Sequence, residues 1–211
     1  MGLYDGADRA IRVMNRQNLR AFNKLRLADL DELNVVRLVG ETYDASVRMA
    51  KRHYYEIAVD AYITALLEAG IDNKTATKMA DDNIDNDWIL DMLEEADPVT
   101  LYAFNTEVER KKQRLIEALT AAQDKNREID KALRYWTLQV SQYADNMVYF
   151  ARLRAFEDAG IEYVRWVTQK DERVCHDCDD LDEEIFPIAD APAPLHPRCR
   201  CELHPVLQDE E

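Results

Sequence analysis

A single proline, Pro98, stands in the first 186 residues of this 211-residue chain, whereas Pro187, Pro192, Pro194, Pro197 and Pro205 crowd the remainder. Glycine is also scarce, with five in all. The two residue types that most disfavour a helix interior are therefore nearly missing from the first three quarters of the chain, which leaves it free to build long helices. Apolar spacing predicts helices at about 8–27, 31–69, 74–95, 98–122 and 125–158. Gly70-Ile71-Asp72 reads as a helix exit at a C-terminal glycine. Asp97-Pro98 reads as an N-cap with proline in the first turn, and Gly160 as the close of the last helix. In that helix Ile129, Leu133, Trp136, Val140, Tyr143, Met147 and Phe150 alternate four-three spacing. One apolar seam should run its length and pack against another long helix, in the chain or in a neighbouring subunit.

After Gly160 the pattern changes. Ile161 to Thr168 is rich in β-branched and aromatic residues and too short for another helix, so it reads as a strand, with Ile185 and Phe186 in a second. All four cysteines fall here, as Cys175-x-x-Cys178, seventeen residues, then His196-Pro-Arg-Cys199-Arg-Cys201. Thiolate and imidazole are the donors zinc prefers, and a CxxC turn lets two sulfurs grip one ion. Four ligands fill a tetrahedron, so one of the five is spare. Cys175, Cys178 and His196 are expected in the set, with Cys199 preferred to Cys201 because His196-x-x-Cys199 repeats the CxxC spacing. A redox CxxC would need a βαβ context that is missing, and five available donors favour a closed structural site over a catalytic one with an open position.

The expected fold is therefore mainly α. A long helical body over residues 1–160, with a basic N-terminal arm at 8–27, precedes a small zinc-stabilised β-rich domain over 161–211. A unit of that size cannot bury much core, and a structural metal is the usual remedy.

Charge limits the partners. With 27 basic and 42 acidic residues the net charge is −15, which repels nucleic acid and anionic membranes at long range. Membrane spans and a signal peptide are not expected, and a cytoplasmic chain would keep its thiols reduced. The exception is local: Arg9, Arg12, Arg16, Arg20, Lys24 and Arg26 occur with no acidic residue from 9 through 28. The first four share a helical face, which offers contact to DNA phosphates or to an acidic protein surface, a second copy included. Around the first cysteine pair lie Asp171, Glu172, Asp177, Asp179, Asp180, Asp182, Glu183 and Glu184. Their spacing is not that of an EF-hand, so a solvated acidic loop is expected, with His176 and His204 at the surface. No nucleophile elbow, phosphate-binding glycine loop or HExxH helix occurs, and no enzymatic activity is expected. A metal-dependent hydrolase using His176 or Glu172 is the weakest reading.

The stretch Tyr163–Val206, with VRWVTQKDERVCHDC, LDEEIF and LHPRCRCELHPV, resembles the C-terminal signature of minor head proteins of tailed bacteriophages, the phage Mu protein F type of head morphogenesis family. Trp166, Thr168, Asp171, Arg173, Val174, Cys175, Cys178, His196, Pro197, Cys199, Arg200 and Cys201 match the pattern. With EIDKALRYW and QYADN upstream, the likeness runs from about 98 to 206. Glu183 departs from it, standing where the family commonly has glycine. The resemblance implies a low-copy structural protein of the virion, assembled in the host cytoplasm, that binds portal, major capsid or scaffold protein and sometimes stays with packaged DNA. Trp166 and Arg200 would be structural supports. Some relatives carry toxin or ADP-ribosyltransferase extensions, for which a chain ending at Glu211 leaves no room. The alternative is a zinc-bearing nucleic-acid-binding module that uses the basic N-terminal helix.

Overall fold

The computed structural model describes residues 5–31, 34–95, 97, 101–170, 172, 174–197, 199 and 201–207. Six helices come first: α1 (Asp5–Leu27), α2 (Val35–Glu68), α3 (Asn73–Asn83), α4 (Asn86–Glu94), α5 (Phe104–Ala121) and α6 (Lys125–Asp158). A three-stranded sheet follows, formed by β1 (Tyr163–Val167), β2 (Ile185–Pro187) and β3 (Glu202–Pro205), with the one-turn helix α7 (His176–Asp179) between β1 and β2.

The predicted seam packs within the chain, chiefly against α2, with α1 and α5 alongside. Ile129, Trp136, Val140, Tyr143 and Met147 are buried, whereas Leu133 and Phe150 lie partly exposed at its margins. Trp136 sits at its centre, its ring 5.1 Å from Tyr43 and 5.9 Å from Phe104. Its indole N–H donates to Ser46 Oγ at 2.5 Å, and Ser46 in turn donates to Asn18. A buried polar relay thus joins α6, α2 and α1 and fixes their register as apolar packing alone would not.

Two helix expectations need correction. The helix expected over 74–95 is two, because Asp85 adopts extended backbone and its carboxylate accepts from the Trp88 amide at 2.8 Å, capping α4. Buried Ile84 occupies the corner. The helix expected from 98 starts at Phe104. Leu101 has a left-handed φ of 62°, incompatible with a helix, and its amide donates to the Asp97 carbonyl at 2.8 Å in a tight loop. Asp97 is buried and accepts from Asn146 on α6 at 2.5 Å. Pro98 lies outside the described residues. Gly70 and Gly160 end α2 and α6 as expected, with φ of 85° and 72°; the Ile71 and Ile161 amides reach back to Leu66 and Phe156.

Both β2 and β3 pair antiparallel with the central β1, and β3 was not expected. Register sets Val164 between Phe186 and Pro205, and Trp166 opposite Leu203. Val164, Trp166 and Leu203 point into the core, while Tyr163 and Ile185 are exposed on the outer face. The sheet sits against α6 through β3 and the 3-10 turn at Ile188–Asp190.

Candidate metal centre

Local structure assembles the cysteines from two directions. Cys175 is the N-cap of α7, and the Cys178 amide points at its sulfur, N to Sγ 3.4 Å, as a CxxC turn requires. The second pair sits in a turn closed by the Cys199 amide on the His196 carbonyl at 3.1 Å. The two turns meet at Cys178, which is 1% exposed. Cys178, Cys175 and His196 form one group of potential ligands, and Cys178, Cys199 and Cys201 a second; within each, all ligand atoms lie within 4.8 Å of one another. All five residues singled out from the sequence therefore fall in two groups that share Cys178. Cys199 is buried and Cys201 half-buried.

The cluster could hold a metal ion, and its distances support that. Thiolates bound tetrahedrally at about 2.3 Å stand about 3.8 Å apart, and such a sulfur stands about 3.6 Å from a bound imidazole nitrogen. Cys178 Sγ is 3.7 Å from Cys199 Sγ and 3.3 Å from His196 Nε2. The other imidazole nitrogen, Nδ1, lies 3.0 Å from the Pro197 carbonyl. A proton there donates to that oxygen and leaves Nε2 with its lone pair turned to the sulfurs, which is the usual orienting arrangement for a ligating histidine.

The surrounding protein shifts the three thiols in different directions. Burial pushes Cys178 up to about 12. The hydrogen bond between Cys201 and Cys199 holds Cys199 below the ordinary thiol range and raises Cys201. A cation at the centre would reverse this by drawing off the remaining protons.

The acidic loop is largely solvated, as expected. Glu172, Asp177, Asp179, Asp180, Glu183 and Glu184 are exposed. Asp182 is half-buried: it accepts from the Thr168 amide at 2.9 Å and hydroxyl at 3.0 Å, tying the loop to the end of β1. His176 is exposed beside Asp180, and half-buried His204 lies 3.2 Å from Glu202. Asp171, Arg173 and Arg200 lie outside the described residues.

At the other end of the chain, Arg9, Arg12, Arg16, Arg20 and Lys24 are exposed along α1, and among the described residues none lies within ion-pair distance of a carboxylate. Arg26 departs from this stripe: it is half-buried and bound to Asn23 and Asp130. Sequence reasoning missed Arg152, which is 2% exposed and anchors β3. It sits in an ordinary helical stretch, and only its tertiary partners distinguish it.

No helix among the described residues is long and apolar enough to cross a membrane. No curated protein and no solved structure matches the chain. Residues 67–204, from the end of α2 through most of β3, match the family model described as Phage Mu protein F like protein, and the chain belongs to that family.

Proposed function

We propose that the protein is a non-enzymatic structural component of a phage head, which acts by binding other head proteins during assembly, the portal protein first among them. Family membership over about two thirds of the chain is the observation that carries this reading. The five-donor cluster supports its structural half. In this proposal zinc is held by Cys175, Cys178, His196 and Cys199, with Cys201 the spare donor. The donor set is soft, the sulfur spacing is tetrahedral in scale, and five donors leave no open position for a reacting water. Residues 161–211 would then be a metal-dependent unit on a helical body that keeps its own core. The protein would be made in the host cytoplasm and end in the virion.

Affinity capture of the tagged protein from infected cells tests the partner. Recovery of portal protein, with capsid or scaffold protein, is expected. Recovery of a transcription or repair complex without head proteins would contradict the reading.

One observation favours a second reading, a nucleic-acid contact: five exposed cations on α1 have no carboxylate partner among the described residues. Binding to duplex DNA that falls steeply with salt, and is lost when Arg12, Arg16 and Arg20 are changed to Gln, would support it. No binding at low salt would remove it.

A further inference from the structure

Between α5 and the start of α6 lies a cleft of about 510 Å³, whose described lining comes from α2, α5 and α6 and includes none of the five metal-site residues. Buried Leu115 and fully buried Tyr43 line it, and the Tyr43 hydroxyl has no hydrogen-bond partner among the described residues. Lys111, Arg114 and Lys131 also line it, against one carboxylate, Glu128. Lys111 lies 3.6 Å from Glu107 and Lys131 lies 3.3 Å from Glu128, while Arg114 is exposed with no carboxylate within reach among the described residues. Arg134, exposed nearly one turn beyond Lys131, adds to the positive field. At the rim the Tyr135 ring is 57% exposed, with Lys111 Nζ 5.6 Å from its centroid. A concave, partly apolar, cationic site on a chain of net charge −15 is a local exception that calls for an anionic occupant with an apolar anchor.

The protein itself carries a surface of that description. On α4, Asp87, Leu90, Asp91 and Glu94 fall at i, i+3, i+4 and i+7, which is one helical face, and all four are exposed. Leu90 is 41% exposed, and none of the three carboxylates has a cationic partner among the described residues. The face cannot fold back on its own cleft. The chain leaving α4 is held to α6 by the Asp97–Asn146 bond, and Asn146 is about 22 Å along the helix from Lys131 at about 1.5 Å per residue.

We propose that the α4 face of one copy docks in the α5–α6 cleft of a second copy, Leu90 entering between the cations while Asp87, Asp91 and Glu94 meet Lys111, Arg114 and Lys131. The contact is heterologous, so each copy in the assembly uses both surfaces, and repetition closes a ring or extends a filament. A polyanion such as DNA would account for the cleft but leave the acidic α4 face with its exposed leucine unexplained; a second copy accounts for both. The inference depends neither on the metal nor on the identity of other head partners.

Sedimentation velocity across a range of protein concentrations and salt tests it with the full chain. The wild type is expected to associate at low salt and to dissociate as salt rises. Reversing the cleft (Arg114→Glu with Lys131→Glu) or the α4 face (Asp87→Lys with Asp91→Lys) should each weaken association by about ten-fold or more. Mixing the two reversed variants should restore it, because each then offers the other a matched pair, and so should all four changes in one chain. Far-UV circular dichroism checks that each variant is folded, and Leu90→Ser, which alters no charge, should weaken association on its own. A wild type that stays monomeric at every concentration and salt overturns the proposal, whether or not its cleft binds duplex DNA. So does an association that neither reversal changes.

Discussion

Arg152 on α6 donates to both carboxylate oxygens of Glu68 on α2, at 2.6 and 3.2 Å. The same guanidinium donates to the Leu203 carbonyl of β3 at 2.6 Å and lies 5.2 Å from the Phe156 ring centroid. One buried cation therefore joins the helical body to the strand just after the second cysteine pair. Arg152→Met should cost about 2–4 kcal/mol, because the Leu203 carbonyl and Glu68 lose a desolvated partner. The lower part of that range reflects Glu68, whose side chain is 30% exposed. Urea unfolding measures it, and a change within about 0.5 kcal/mol would show that the contact contributes little.

Trp136 is the second structural test. Trp136→Phe removes the indole N–H that Ser46 accepts and leaves a small void in the aromatic cluster. A loss of about 1–3 kcal/mol is expected. Changing Ser46 to Ala in the same chain should then cost less than it does in the wild type, since the relay is already broken.

Asp182 gives a prediction in pH. The Thr168 amide favours its ionised form, with the Thr168 hydroxyl and Lys170 adding to the effect, so its carboxyl titrates below the ordinary 3.8. A carboxyl depressed in the folded state contributes stability that is fully present above its unfolded value and is lost as pH falls through the folded value. The tie between β1 and the acidic loop should therefore hold at neutral pH and weaken only below about pH 4. The Asp182 carboxyl resonance, followed by NMR, should show a midpoint below 3.8; a midpoint above it would contradict the arrangement.

Glu183 has a left-handed φ of 67°, where most side chains are strained, and its amide donates to the Trp166 carbonyl at 2.8 Å. The turn thus keeps a glycine-type backbone with glutamate in it. Glu183→Gly should leave the fold intact and raise stability by up to about 1 kcal/mol, partly offset by loss of the exposed ion pair with Lys170. Glu183→Val should lower stability by about 1–2 kcal/mol. Thermal unfolding of the pair orders them, and Val at or above Gly would contradict a strained turn.

How much of this was legible in the sequence depended on whether the signal was local. The bounds of α6 could be read because Asp124 caps its start, accepting from the Arg127 amide, and Gly160 turns the chain at its end. The ligand cluster was legible because turn geometry at Cys175-x-x-Cys178 and His196-x-x-Cys199 is itself local. The break at Ile84–Asp85 was readable in principle from Asp85, an N-cap residue ahead of an apolar run, but the continuing apolar period masked it. The left-handed Leu101 was not, since leucine gives no sign of that backbone. Nor was β3, four residues whose strand conformation comes from pairing with β1. The roles of Arg152 and of the Lys111, Arg114 and Lys131 cleft arise from residues far apart in the chain, and no window of sequence contains them.

Metal content of the purified protein, measured by elemental mass spectrometry alongside protease protection, tests the central claim most directly. The account predicts one zinc per chain. Its removal by a chelator should expose the region after residue 160 to protease while most far-UV helix signal remains, and Cys178→Ser should reproduce both effects. Protein without bound metal, whose protease resistance after residue 160 is the same with chelator or with Cys178→Ser, would contradict it.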